Sequence, residues 1–232
     1  MRPTILISGC SRGIGLEFAR QYAEAGWRVL ATCKRPPGST ALMDLREKHG
    51  EEVQVHGLDV RNSEEILHLA QSLREQPIDI LLNNAGVYGP EEQGLGSAEP
   101  EAWIEVLKVN TIAPLLMAQA FLPNVERGAR RIIATVTSLM GSIGDNGSGG
   151  HYLYRSSKAA VNMVARSLAV DLKGKGIISV VLHPGWVRTD MGGPQAPTGV
   201  EESVSGMRRV LDGLTMKESG GFFQFDGERL PW

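Results

Sequence analysis

Tyr154 and Lys158 stand four residues apart in Tyr154-Arg155-Ser156-Ser157-Lys158. In a helix that spacing puts both side chains on one face. A free phenol has a pKa of about 10 and is a poor acid or base at neutral pH. A neighbouring ammonium favours the phenolate and lowers that value. Such tuning is what general acid–base catalysis needs. A bare Tyr-x-x-x-Lys is common by chance and more often describes two exposed side chains on a helix, so its surroundings decide.

Upstream, Thr135-Val136-Thr137-Ser138 runs into Leu139-Met140-Gly141-Ser142. Ser138 falls at the end of a strand, before a glycine loop that leads back to Tyr154. A hydroxyl there is able to hydrogen-bond a substrate carbonyl. Two further polar and glycine turns, Asn83-Asn84-Ala85-Gly86 and His183-Pro184-Gly185-Trp186-Val187-Arg188-Thr189-Asp190, follow other strands. A fourth comes first in the chain: Ser8-Gly9-Cys10-Ser11-Arg12-Gly13-Ile14-Gly15. Glycine permits positive φ and close approach of a backbone to a phosphate. A following helix N-terminus offers free N–H groups to a pyrophosphate. Gly9, Ser11, Arg12 and Ile14 are the expected contacts; an ordinary tight turn is the plain alternative. After the second strand, Cys33-Lys34-Arg35-Pro36 holds cations where an acid would bind the ribose hydroxyls of NAD. Lys34 and Arg35, with Arg12 nearby, suit the 2′-phosphate of NADP; a solvated basic loop is the other reading.

These turns need strands to position them. Apolar runs predict strands over Thr4–Ser8, Arg28–Thr32, Val53–Leu58, Ile78–Leu82, Arg131–Thr137, Ile177–Leu182 and Gly221–Phe225. Several runs are continuous, which suits strands buried on both faces of a parallel sheet. Helical spacing covers Ile14–Ala25, Thr40–Lys48, Ser63–Glu75, Pro100–Glu126, Tyr152–Lys173 and Gly199–Leu214. Asn62-Ser63 with Glu65 predicts one helix start. Strand–helix alternation throughout implies an α/β fold: a single-domain, Rossmann-like doubly wound parallel sheet of about seven strands flanked by helices, spanning residues 1–232. Ligands of such sheets sit beyond the carboxyl ends of the strands.

Composition narrows the classes. With 42% hydrophobic and 22% charged residues, a globular fold is expected. A net charge of −2 without a basic run argues against nucleic acid and anionic membranes as partners. Ile5-Leu6-Ile7 is too short for a signal-peptide core, and no stretch is expected to span a bilayer. Cys10 and Cys33, without a secretion signal, read as reduced thiols, and the cytoplasm is the expected location.

Taken together, Gly9-x-x-x-Gly13-x-Gly15, Asp59-Val60, Asn83-Asn84-Ala85-Gly86, Asn110, Ser138, Tyr154-x-x-x-Lys158 and Pro184-Gly185 resemble the short-chain dehydrogenases/reductases along the whole chain. Gly141-Ser142-Ile143-Gly144-Asp145-Asn146 and Tyr152-Leu153-Tyr154 are most similar to the C-factor and sniffer-type carbonyl reductases. The resemblance implies an NADPH-dependent reduction of a ketone, aldehyde or quinone. Tyr154 would donate the proton to the carbonyl oxygen. Lys158 would bind the nicotinamide ribose and lower the tyrosine pKa. Ser138 would orient the carbonyl, and Asn110 would hold a water linking Lys158 to solvent. Asp59 would accept from the adenine amino group, with Val60 beside it. Asn83, Ala85 and Gly86 would line the cofactor, and Val187 and Thr189 would meet the carboxamide. Arg12 and Lys34 would take the 2′-phosphate. A homodimer or homotetramer packed through the long helices is the family habit. Two departures stand out: Ser8 replaces the family's threonine, keeping a hydroxyl, and Cys10 sits in the glycine turn as either a redox-sensitive or a buried inert thiol.

Other residues read less sharply. Tyr152 lies off the Tyr154–Lys158 face and suits pocket lining or core. His183 suits a structural role, and His49, His56 and His68 lack metal-ligand spacing. Asn162, Arg166 and Asp171 suit the polar side of the long helix. Leu115, Leu116, Met117 and Met163 suit core or subunit interface. The Gly- and Pro-rich segment 191–203 suits a mobile flap or a plain surface loop. An NADP(H)-binding sensor with little turnover competes with the enzyme, but a sensor has no need of Asn110, Ser138, Tyr154 and Lys158 together. An epimerase would be expected to carry a longer region after the seventh strand.

Overall fold

The computed structural model describes residues 2–232. Among them, seven strands form one sheet: β1 (Thr4–Ile7), β2 (Arg28–Cys33), β3 (Val53–Gly57), β4 (Ile80–Asn83), β5 (Ile132–Val136), β6 (Ile178–His183) and β7 (Phe222–Gln224). Every neighbouring pair is parallel, in the order β3-β2-β1-β4-β5-β6-β7. The helices are α1 (Gly13–Glu24), α2 (Thr40–His49), α3 (Ser63–Ser72), α4 (Pro100–Leu107), α5 (Ala113–Arg127), α6 (Tyr152–Asp171) and α7 (Val200–Gly213). The doubly wound α/β expectation is met.

Side chains alternate between two cores because successive strand residues face opposite ways. Ile5, Ile7, Ile80 and Leu82 pack with Phe18 and Tyr22 of α1 and Met207 of α7. Leu6, Leu81 and Ile133 pack with Ile66 of α3 and Met117 and Phe121 of α5. Each such side chain, fully buried, contributes about 1.5–3 kcal/mol. The strand order reverses between β1 and β4, and the crevice at their carboxyl ends is where doubly wound sheets bind ligands.

Element ends move for local reasons. β4 begins at Ile80 rather than Ile78 because the Asp79 carboxylate replaces ladder bonds. It accepts from Thr4 N (2.8 Å), Ala129 N (2.8 Å) and Arg130 N (3.1 Å). Asn62 caps α3 as expected, accepting from Glu64 N and Glu65 N. The helix expected over 100–126 is divided: a π-helical turn, Lys108–Ile112, separates α4 from α5. Pro114 has no N–H to return to the carbonyl of Asn110 four residues earlier, so the ordinary α pattern cannot continue there.

Residues Pro100–Arg127 also correct the expectation that no stretch has membrane-spanning character. By length and composition this run of α4, π-helical turn and α5 is apolar enough. In the fold it lies against β4, β5, α3 and α6, burying Met117, Phe121 and Val125. A helix laid across a sheet needs the same composition.

Candidate active site

The site grows from the β1–β4 crevice. Gly9 adopts φ +75°, and a Cβ there would stand 2.8 Å from Ala85 Cα. A Cβ on Gly15 would collide with the Gly9 carbonyl and the Asn84 amide. The first turn and the turn after β4 are therefore in direct backbone contact. The Ser8 hydroxyl accepts from Asn84 N and Ala85 N, both at 3.0 Å. Asn84 Nδ2 donates to the Ser8 and Gly9 carbonyls, also at 3.0 Å. Cys10 points away into the first core. It is fully buried and its thiol donates to the Ile7 carbonyl at 3.3 Å. Burial pushes that thiol's pKa up, so the inert reading fits.

A cavity of about 780 Å³ opens beyond these turns, within the roughly 300–1,000 Å³ range typical of ligand sites. Gly9, Ser11, Arg12 and Ile14 line it on one side; Lys34, Asp59 and Val60 line it on a second; and Ala85, Gly86 and Thr189 on a third. Helix α1 has no side-chain cap and no acidic residue in its first turn, leaving its N-terminal amides to the cavity. Charge gathers at this end. Asp59 accepts from Arg61 (2.6 Å) and Lys34 (2.9 Å). The Arg61 hydrogen bonds hold its carboxyl well below the usual range, opposing its partial burial. Arg12 forms an exposed ion pair with Asp190. Amides at a helix start, with Arg12 and Lys34 on the wall, form the donor set that a phosphorylated dinucleotide would use.

Tyr154 and Lys158 close the far end, both buried and on one face of α6. The Lys158 ammonium lies 5.7 Å from the Tyr154 ring centroid and donates to the Val136 carbonyl at 3.0 Å. Burial pushes Lys158 down to about 8. Tyr154 is pushed up to about 12, chiefly by burial, against a lowering contribution from the Ser138 hydroxyl and a raising one from Tyr88. The expected depression of the phenol by Lys158 is corrected here: burial dominates, and the ammonium is turned to a carbonyl. Ser138 is buried beside the phenol, its Oγ accepting from Met140 N at 3.1 Å.

Asn110, in the π-helical turn, is engaged by its side chain. Its Oδ1 accepts from Val87 N (2.9 Å), and its Nδ2 donates to the Val87 carbonyl (2.8 Å) and Ser157 Oγ (3.0 Å). A Cβ on Gly86 would stand 3.4 Å from Asn110 Oδ1 and 3.6 Å from Lys158 Nζ. Glycine thus leaves a gap that both atoms face. Oδ1 keeps one lone pair for a water there.

Two expected cofactor contacts lie elsewhere. Asn83 turns to the opposite face, donating to the Pro114 carbonyl at 3.3 Å, and Asn84 lines the cavity instead. Val187 is buried behind the wall, bridged to Thr198. Three further expectations change. Tyr152 is exposed rather than core. Asn162 is buried, accepting from Thr137 Oγ1 (2.7 Å) and donating to the Gly141 carbonyl (3.2 Å), which ties the end of β5 to α6. Met163 is 66% exposed and belongs to no core. The segment after Arg188 is stapled by its guanidinium to the Ala196 (2.9 Å) and Pro197 (2.6 Å) carbonyls. Arg61, Asn84, Tyr88 and Gln93 stand at or beside the site outside the expected set. Of these only Asn84 carried a signal, as a member of the Asn-Asn-Ala-Gly turn.

Comparison with known proteins agrees with this geometry. A family profile described as short chain dehydrogenase matches residues 3–198. The C-signal protein of Myxococcus xanthus is 47% identical over 156 residues, which is 67% of this chain and 93% of that one. A 1-hydroxy-2-glutathionyl-2-methyl-3-butene dehydrogenase of Rhodococcus sp. is 34% identical over 99% of both chains. Among solved structures, the carbonyl reductase Sniffer of D. melanogaster superposes with a TM-score of 0.93 at 33% identity, covering both chains fully. The NADPH-bound carbonyl reductase from chicken fatty liver does so at 0.93 and 35%, with the same coverage. With a family profile across most of its length, a relative of 34% identity along the whole chain and a parallel seven-stranded sheet that superposes on known members, this chain belongs to the short-chain dehydrogenases/reductases, a family of oxidoreductases.

Proposed function

We propose that the chain is an NADPH-dependent carbonyl reductase acting on ketones, aldehydes or quinones, with Tyr154 as its proton donor. The observation that carries the reading is a buried phenol, pushed up to about 12 and so protonated at neutral pH, at the closed end of a dinucleotide-sized cavity. Bound NADPH would supply the hydride for the carbonyl carbon. Tyr154 gives its proton to the carbonyl oxygen as charge builds there. Ser138 already accepts from Met140 N, so its own hydroxyl proton is available to the same oxygen. Lys158 binds the ribose, and the gap over Gly86 suits a water between Lys158 and Asn110. Ser11, Arg12 and Ile14 hold the phosphates, and Arg12 and Lys34 take the 2′-phosphate. Asp59, kept ionised, accepts from adenine beside Val60. The NADPH of the chicken relative supports the cofactor assignment. The Rhodococcus relative, named as a dehydrogenase, supports a reaction that also runs toward the carbonyl.

Two free, buried cysteines accord with the cytoplasm. Ile104, Ile112, Met163 and Val170, exposed on α4, α6 and the turn between α4 and α5, accord with a homodimer or homotetramer packed through these helices.

The identity to C-signal favours a second reading, a cofactor-binding signal with little turnover. One variant separates the two. Tyr154→Phe should abolish NADPH-dependent reduction across a panel of ketones, aldehydes and quinones, while NADPH still binds in a fluorescence titration. Unchanged turnover would remove Tyr154 from the mechanism; no wild-type turnover on any of the panel would favour the signal.

A further inference from the structure

Gln93 lies in the connection 84–99, between two exposed glutamates and a glycine, yet is only 2% exposed. Its Nε2 donates to the carbonyls of Tyr88 (3.0 Å) and Pro90 (2.7 Å). Its Oε1 accepts from the backbone N–H of Tyr154 at 2.9 Å. Its own carbonyl accepts from the N–H of Tyr152 at 3.0 Å. Carbonyls at one end and an N–H at the other fix which way the amide points.

The first turn of a helix has N–H groups with no partner inside the helix. α6 begins at Tyr152, so Tyr154 sits in that turn. The residue before it, His151, is left-handed at φ 47° and makes no side-chain cap. Gln93 supplies the missing cap from a separate segment, and supplies it to Tyr154 itself. Through the Tyr88 carbonyl it also anchors a ring lying 4.7 Å from the Tyr154 ring. The Tyr88 hydroxyl continues outward to His151 Nδ1 at 2.8 Å. Gly89, at φ +93°, lets this loop fold back over Gln93.

We infer that Gln93 is the positioning residue of the reaction, fixing the Tyr154 phenol relative to the substrate wall by tying the 84–99 connection to the first turn of α6. The inference rests on Tyr154 being the proton donor. Misplacement of a reacting group by about 1 Å is able to cost about 100-fold in rate, so the effect belongs in kcat rather than in cofactor affinity.

Three variants test it, with NADPH and whichever panel compound the wild type reduces fastest. Gln93→Met keeps the length and removes every side-chain hydrogen bond. Its kcat should fall about 10- to 100-fold, with the Kd for NADPH within about twofold of wild type. Gln93→Glu keeps an acceptor for the Tyr154 N–H but sets its other oxygen against two carbonyls. It needs a proton to regain even one of those bonds. Its kcat relative to wild type should therefore rise as pH falls, a rescue that a purely structural role would not produce. Tyr154→Phe is the control. If it turns over normally, the proton-donor reading and the inference fall together. If it is dead while Gln93→Met keeps full kcat, or the Gln93→Glu ratio is flat with pH, the inference falls alone. Loss of NADPH binding in parallel with kcat also overturns it. Should Gln93→Met not fold, the pH ratio of Gln93→Glu carries the test.

Discussion

The two ends of the cavity handle charge in opposite ways. At the Asp59 end, cations and carboxylates are paired and largely open to solvent: Lys34 and Arg61 on Asp59, and Arg12 on Asp190. At the Tyr154 end, one cation, Lys158, is buried at 5% exposure against a carbonyl, with no carboxylate in contact. Solvent screens the first group, so each exposed pair is worth about 0–1 kcal/mol. Burial acts on the second group directly, holding Lys158 near 8 and Tyr154 near 12. The open end is suited to choosing a cofactor, and the closed end to setting protonation states.

The largest test of this contrast removes the buried cation. Lys158→Met should lower kcat/KM by about 100-fold or more, in the range of lost acid–base machinery. In the wild type the alkaline limb of reduction should lie near pH 8, where Lys158 loses its proton, and not near the tyrosine. A limb first appearing above pH 10 would contradict the assignment. At the open end, Arg12→Ser combined with Lys34→Ser should raise the KM for NADPH about 10- to 100-fold, as expected for two charge-assisted contacts. The KM for NADH should barely move, and raising salt should weaken NADPH binding in wild type more than in the double variant. Equal effects on both cofactors would refute the 2′-phosphate role.

Gly86→Ala should come next. The added methyl meets Asn110 Oδ1 and Lys158 Nζ at ordinary contact distance, so the fold should survive. The gap is filled, and kcat should fall several-fold, roughly 1 kcal/mol, with NADPH affinity nearly unchanged. The smallest effect concerns stability. Folded Lys158 releases its proton near pH 8, whereas the unfolded side chain holds one to about 10.5. The unfolded state binds more protons in that window, so this group makes stability rise with pH from about 8 to 10.5. Thermal melts should reveal a shift of a few degrees between pH 8 and 10 in wild type relative to Lys158→Met. Activity and the Lys158 contribution to stability thus run in opposite directions across the same window.

Much of the open end was legible in the sequence because it is built from backbone. Gly9 and Gly15 are demanded by close approach, Arg12 and Lys34 are read from their place after strands, and Asp59 from the family resemblance alone. The orientation of Asn83 follows from the strand pattern. Strand residues alternate faces, so Asn83 follows Leu81 toward α5 and leaves Asn84 to the cavity. The Tyr154–Lys158 pair was legible from helical spacing, but not its electrostatics, because burial depends on what packs around α6. Pro114 carried a signal for the divided helix through its missing N–H. Gln93 had none: a glutamine among glutamates, glycine and proline looks like a solvated loop until the fold brings α6 against it. Asn162 likewise depends on β5 and α6 meeting, which no local pattern states.

Any protein that meets soft electrophiles is exposed to alkylation, and sulfur is the softest target it offers. This chain has only two cysteines. Cys10 is turned from the cavity with its proton tightly held, and Cys33, at 2% exposure, accepts a hydrogen bond from Ser39. The folded protein therefore presents little thiol to a soft electrophile: Cys33 borders the cavity but is nearly closed off, and Cys10 is sealed in the core. The Cys10 thiol is reached only when the sheet opens, so its labelling rate becomes a measure of how seldom the native state unfolds.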